Sequence, residues 1–276
     1  MEYILVPTDF SKSAFNALEY AIEVAKVFKS KVLVLNTFEK PASGSSSMMR
    51  IVDKMESLAD DELFSLQRAI REKELDKEVE IEYKHLHGSI YSGVKYEVKR
   101  RDIGLIIMGS TGASGLKDIF LGSNAFDVIS KTDYPVMAIP PKAKFKRIKN
   151  IIFATDFDLK CENDNLPVIF ELTKNLGAKL TLVNIQTDNT NFKKTRDNAD
   201  KFFNICKDQL KGIDYEYHYI LENDIAEGIN KAYQNNDADL LVMIKKSRSL
   251  IDYIFRKSIT KCLVKEAKLP LLTLSK

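Results

Sequence analysis

Tyr3-Ile-Leu-Val-Pro-Thr-Asp-Phe10 and Asn150-Ile-Ile-Phe-Ala-Thr-Asp-Phe157 share one pattern, a short apolar run that ends in Thr-Asp-Phe. Three more matches follow in the same order. Lys31-Val-Leu-Val-Leu-Asn36 pairs with Lys179-Leu-Thr-Leu-Val-Asn184, and Asp102-Ile-Gly-Leu-Ile-Ile-Met108 with Asp237-Ala-Asp-Leu-Leu-Val-Met243. Tyr134-Pro-Val-Met-Ala-Ile139 pairs with Leu269-Pro-Leu-Leu-Thr-Leu274. The offset is 147 residues at the first match and 135 at the last, so the second copy is shorter in its middle. The chain is a duplication, with one domain over residues 1–142 and a second over 147–276.

Within each copy, apolar strand-like runs alternate with helix-like periodicity. In the first, Ala14, Ala17, Leu18, Ala21, Val24, Ala25 and Phe28 recur at helical spacing, with Ser11 placed as the cap. Residues 48–74 read as a long amphipathic helix, 90–100 as a third and 123–131 as a fourth. Val79, Ile81 and Tyr83 alternate as in an edge strand, as do Ile213, Tyr215, Tyr217 and Tyr219 in the second copy. Pro41-Ala-Ser-Gly-Ser-Ser-Ser47 reads as a loop. Continuous apolar strands separated by amphipathic helices imply a parallel sheet covered on both faces. The expectation is an α/β fold, an open doubly wound five-stranded parallel sheet made twice. Such sheets bind ligands beyond the carboxyl ends of their strands, where strand order reverses.

Bulk properties narrow the function. The 276 residues carry 42 Lys and Arg against 39 Asp and Glu, a net +3 dispersed along the chain, which argues against a nucleic-acid binder. With 45% hydrophobic residues, two ordinary cores can form, yet no apolar run approaches the roughly 20 residues that span a bilayer. Cys161, Cys206 and Cys262 are far apart and odd in number, so no disulfide framework is indicated. With no secretory leader pattern, this suggests a reduced, cytoplasmic protein that meets neither membrane nor nucleic acid. The basic run Lys142-Ala-Lys-Phe-Lys-Arg-Ile-Lys149 reads as a solvated linker.

Two strand ends carry chemistry. The run at 104–108 leads into Gly109-Ser-Thr-Gly112 and, after nine further residues, Gly122-Ser123-Asn124. Glycines let backbone amides wrap an anion, and a helix opening at Ser123 offers unpaired N–H groups and the positive end of its dipole. At the other strand end, Pro7-Thr8-Asp9 brings a carboxylate that can accept hydrogen bonds from ribose or adenine. Lys117, within the glycine loop, reads as a solvated lysine, with contact to a phosphate as the alternative. No P-loop, dinucleotide fingerprint or nucleophile elbow occurs, and no paired general acid and base is evident. His85 and His87 share one strand face, more in keeping with polar surface than with a metal site.

These residues resemble the universal stress protein family in its tandem form, along essentially the whole chain. Gly109, Gly112, Gly122 and Ser123 fit the family's Gly-x2-Gly-x9-Gly-Ser/Thr signature at every spacing. The resemblance implies an adenine nucleotide alpha hydrolase-like fold and ATP or AMP, with Mg2+ as an accompanying ion, bound in the first copy. Asp9 would lie by the nucleoside, the glycine loop would hold the phosphates, and Asn36, Thr37 and Met108 would line the nucleoside pocket. It also implies a nucleotide-dependent regulator that acts on an unidentified protein partner. Slow ATP hydrolysis or phosphotransfer at the same site is the enzyme alternative, and a nucleotide-free scaffold the third. Family members pair through their last strands, so Val136–Ile139 and Leu271–Leu274 are expected side by side in an intramolecular pseudo-dimer, with assembly of two chains into a homodimer left open by the sequence.

The second copy departs from the signature. Ile244, Ser247 and Lys257 stand where Gly109, Gly112 and Gly122 stood, and only Ser258 keeps the place of Ser123. Thr155 and Asp156 persist. Lys245, Lys246, Arg248, Arg256 and Lys257 make this former phosphate loop basic, which reads as solvated surface or as a site for another anion. This copy is not expected to bind ATP in the family's way.

Overall fold

The structure, a computed structural model, describes residues 1–39, 46–112, 121–157, 165–187, 192–245 and 269–275. Lys117, Cys161, Cys262 and the positions from Lys246 to Ser258 lie outside the described residues, as do residues 41–45 of the expected loop.

The first half runs β1 (Tyr3–Thr8), α1 (Lys12–Phe28), β2 (Lys31–Phe38), α2 (Ser46–Glu72), β3 (Ile81–His87), α3 (Ile90–Val98), β4 (Ile103–Gly109), α4 (Ser123–Lys131) and β5 (Val136–Ile139). The second runs β6 (Asn150–Ala154), α5 (Leu166–Leu176), β7 (Lys179–Gln186), α6 (Phe192–Ile205), α7 (Lys207–Leu210), β8 (Asp214–Leu221), α8 (Ile225–Asn236), β9 (Leu240–Lys245) and β10 (Leu271–Ser275). Ser46 and Ser47, expected in the loop, instead open α2. The expected cap forms: Ser11 Oγ accepts from the Ala14 N–H at 3.2 Å.

The strands make one continuous sheet in the order β3-β2-β1-β4-β5-β10-β9-β6-β7-β8. Each half is parallel and doubly wound, and the halves join where β10 runs antiparallel to β5, with Leu271 opposite Ala138 and Thr273 opposite Val136. Thr273 Oγ1 adds a hydrogen bond to the Val136 carbonyl at 3.1 Å. The pseudo-dimer expected from sequence is therefore present within one chain. Strand alternation sorts the apolar side chains into two cores. Ile4, Val6, Val32 and Val34 face α1 and α2 together with Phe153, Leu180 and Leu182. Tyr3, Leu5, Leu33 and Leu35 face α3 and α4 together with Ile152, Val183 and Leu241. Both cores cross the seam.

The linker corrects the sequence reading. Ala143 and Ile148 are buried, and Phe145 packs edge-on against Tyr20 with ring centroids 4.9 Å apart. Asn16 Nδ2 donates to the carbonyls of Pro140 and Ala143 at 3.2 and 2.7 Å. Asp239 receives the other side, accepting from Lys146 Nζ at 2.6 Å and from the N–H groups of Lys149 and Asn150 at 2.8 and 3.1 Å. A lysine-rich run lies down here because it finds partners on both sides, Asn16 and Tyr20 of α1 far earlier in the chain and Asp239 about 90 positions later. The cysteine reading is corrected too: the buried Cys206 is disulfide-bonded, because spacing along the chain does not report distance in the fold. Among the described residues no helix is long and apolar enough to cross a membrane.

Burial works to raise the Asp239 carboxyl, but the hydrogen bonds from Lys146, Lys149 and Asn150 outweigh it and hold the pKa below its ordinary value. A depressed carboxylate contributes stability above its unfolded pKa and loses it as pH falls through the folded one. Asp239→Asn is therefore expected to cost about 1–3 kcal/mol in denaturant unfolding at neutral pH. Its difference from wild type should shrink as pH drops below about 4; a difference that does not change with pH would mean that the charge is irrelevant.

Candidate functional site

Strand order reverses between β1 and β4, and there the first half opens a cavity of about 410 Å3. Its floor is the end of β1. Thr8 Oγ1 accepts from the Phe10 N–H at 3.0 Å, closing a turn in which Phe10 has φ 60°. Thr155 and Phe157 repeat this turn in the second half, with the same 3.0 Å bond and φ 58°. The hydroxyl-held left-handed turn is the physical content of Thr-Asp-Phe: it swings the intervening aspartate clear of the strand. Asp9 Oδ1 accepts from the Ser11 N–H at 3.1 Å, and Asp9 itself is exposed on the cavity.

The opposite wall comes from β4 and α4. The chain leaves β4 at Gly109 and returns so that the Gly122 N–H donates to the Ser110 carbonyl at 2.7 Å. Gly122 is the N-cap of α4 and supplies no side-chain cap, so the first N–H groups of that helix are left for another acceptor. Ser110 lines the cavity and is fully buried, yet its Oγ has no partner among the described residues.

The three signature glycines serve different ends. A Cβ on Gly109 would fall 2.6 Å from Ser13 Oγ and 3.1 Å from the Ser13 backbone, so Gly109 lets α1 approach β4. A Cβ on Gly112 would sit 3.0 Å from Asp9 Oδ2, which keeps the aspartate close to the loop. A Cβ on Gly122 would meet nothing nearer than 3.6 Å. Only at the last position would a Cβ sit in ordinary van der Waals contact, with nothing forced to move.

Of the residues singled out from sequence, Pro7, Thr8, Asp9, Thr37, Met108, Gly109, Gly112, Gly122, Ser123 and Asn124 all line this cavity. Asn36 does not. It is buried, and its Nδ2 donates to the Thr8 carbonyl at 2.9 Å, so it fixes the β1 end from behind. Asn184 does the same for Thr155 at 2.9 Å. Sequence reasoning missed Glu39 and the Gly88-Ser89 corner. Gly88 has φ 118°, and Ser89 Oγ caps α3 at the Ser92 N–H. A glycine and a hydroxyl before a helix, the same signal as Gly122-Ser123, would have revealed it.

The second half keeps the frame and fills the space. The equivalent cavity is about 150 Å3, walled by Ile185, Ile225, Ile229, Met243 and Ile244 around Thr155 and Asp156. Lys245, read as surface or an anion ligand, is neither. Its Nζ donates to the carbonyls of Ile129 and Thr132 at 3.2 and 2.5 Å, at the C-terminal end of α4. Burial lowers its pKa, and Asp133 at 4.0 Å opposes that. His85 and His87 meet Asp60 and Glu56 of α2 at 3.1 and 2.7 Å. Among the described residues no group of three or more His, Cys, Asp or Glu is placed to hold a metal ion.

A doubly wound fold made twice, with a glycine-walled cavity at one switch point, defines the class. Residues 1–140 and 147–275 match the universal stress protein family, and the chain belongs to that family in tandem form. Universal stress protein YxiE of Bacillus subtilis is 27% identical over 143 residues, 49% of this chain and 97% of that protein. Universal stress protein MJ0531 of Methanocaldococcus jannaschii is 29% identical over 150 residues, 51% and 83% of the two chains. The crystal structure of an Archaeoglobus fulgidus universal stress protein covers 99% of this chain and 98% of its own, with a TM-score of 0.72 at 18% identity, a likeness of fold.

Gly109→Ala should destabilise the chain by about 1–3 kcal/mol through overpacking. Gly122→Asp should leave the denaturation midpoint unchanged or raised, because the position is an open N-cap that favours Asp. Urea unfolding of the pair checks this, and equal losses would show that the glycines do the same job.

Proposed function

We propose that the first half binds one adenine nucleotide, ATP or AMP, and that the chain acts as a nucleotide-dependent regulator or interaction module in stress physiology. The observation that carries this reading is the 410 Å3 cavity that the uncapped α4 N-terminus, the orphaned Ser110 hydroxyl and the side-chain-free Gly122 share with Asp9.

The α4 amides and the Gly109–Gly112 backbone would take the phosphates, where peptide N–H groups and the helix dipole favour negative charge. Ser110 and Ser123 would donate their hydroxyls. Asp9 is an acceptor and would repel phosphate, which assigns it to the ribose or base end, with Thr37 and Met108 alongside. Mg2+ would ride on the phosphates. The second half, with Ile244 and Ile185 in a cavity of about 150 Å3, would not take this ligand on this reading.

The test is nucleotide content. The wild type, denatured after purification and resolved by chromatography, is expected to release about one adenine nucleotide per chain, its retention time separating ATP from AMP. Gly122→Asp places a carboxylate where phosphate would sit and should come out empty while still folded. Added nucleotide at 100 times its dissociation constant should stabilise the wild type by about 2.7 kcal/mol. An empty wild type that gains no stability from added ATP or AMP would sink the proposal and leave a nucleotide-free scaffold.

A further inference from the structure

A second cavity of about 410 Å3 lies at the seam, far from the switch points. It is built from both halves and the linker between them: Tyr20 of α1, Lys142, Lys144 and Lys146 of the linker, Tyr233 of α8, and Asp239 before β9. Ala238, Leu269 and Pro270 complete an apolar wall.

Three features of this cavity point to a ligand. Tyr20 is 2% exposed, its ring is held by Phe145, and among the described residues its hydroxyl, which borders the cavity, makes no hydrogen bond. Burial, reinforced by the Asp239 charge, raises its pKa well above the ordinary phenol value, so the group is a neutral donor facing the cavity. Asp239, the one anion present, is already occupied by three donors, Lys146 and two backbone N–H groups. Lys142 and Lys144 are exposed and make no ion pair. Two exposed ammonium groups without an ion pair among the described residues and one neutral phenol thus line a space whose remaining wall is aromatic and apolar.

We infer that this seam cavity binds a small organic anion, a phosphate or carboxylate carried on an aromatic or apolar body. The anion would meet Lys142 and Lys144 and accept from the Tyr20 hydroxyl, while the body would lie against Tyr233, Leu269 and Pro270. Because the ligand would touch α1, the linker and the approach to β10 at once, it would brace the two halves against each other. The inference does not depend on nucleotide binding in the first half.

The probes are phenyl phosphate, benzoate and uncharged benzyl alcohol, titrated calorimetrically into the full chain at low salt. One saturable site per chain is expected for phenyl phosphate or benzoate, and the stronger of the two names the anion class. Affinity should fall about tenfold in the double variant Lys142→Gln/Lys144→Gln, which removes two unpaired surface charges and should melt like wild type. Tyr20→Phe, which deletes a hydroxyl with no partner, should weaken binding a few-fold without loss of stability. Gly122→Asp, altered only at the first-half cavity, should bind as wild type does. The inference is overturned if neither anion binds, if the double lysine variant binds equally well, if benzyl alcohol binds as tightly, or if Gly122→Asp abolishes the signal.

Discussion

The antiparallel pairing of β5 with β10 is the constraint on which the rest of the molecule depends. Each half ends in an apolar strand, and β5 is fully buried along all four residues only because β10 covers it. An uncovered edge of that kind invites association with other chains. Joining two parallel halves through their last strands requires an approximate two-fold arrangement, which brings the second half's β9 end to the C-terminal end of α4. There Lys245 donates to carbonyls that the helix cannot satisfy itself. A cation at the C-terminus offsets the negative end of the helix dipole, while the uncapped N-terminus leaves its positive end uncompensated. The second half thus steadies the element whose opposite end faces the large cavity.

Duplication also separates what a residue does for the fold from what it does for a ligand. Thr-Asp-Phe and the buried asparagines Asn36 and Asn184 are kept in both halves, with matching distances, because both strand ends need the same turn and the same brace. Gly93 and Gly228 are likewise kept, since a Cβ at either would come within 2.6 Å of Thr37 or Ile185. What differs is the lining. Glycine at 109 becomes isoleucine at 244, Thr37 corresponds to an apolar wall around Ile185, and the cavity shrinks from about 410 to about 150 Å3. The frame is kept in both halves while the space is filled in one.

The strands were legible because their apolar runs occur twice in one order, and the long helices because their periodicity persists for many turns. The switch-point cavity was legible from the glycine spacing, since only backbone without side chains can wrap an anion closely. Asn36 was misjudged because a polar residue at a strand end can serve a ligand or a neighbouring carbonyl, and local sequence does not distinguish the two. The linker was misjudged because Ala143, Phe145 and Ile148 are buried only by partners supplied from α1 and from the residues before β9. Gly88-Ser89 was passed over because its signal is two residues long and becomes distinctive only when β3 is placed beside β2.

The half with the smaller cavity still has three physical duties. It covers β5, it caps α4, and it supplies Asp239 to hold the linker down. Both hydrophobic cores run through the seam, so neither half can open fully without exposing apolar strand surface of the other. Substitutions in the second half will therefore reach the first-half cavity through β10 and Lys245 rather than through any direct contact with a ligand. The tandem chain is best regarded as one cooperative sheet with a single roomy switch point, in which the filled half acts as the fixed wall against which the open half is built.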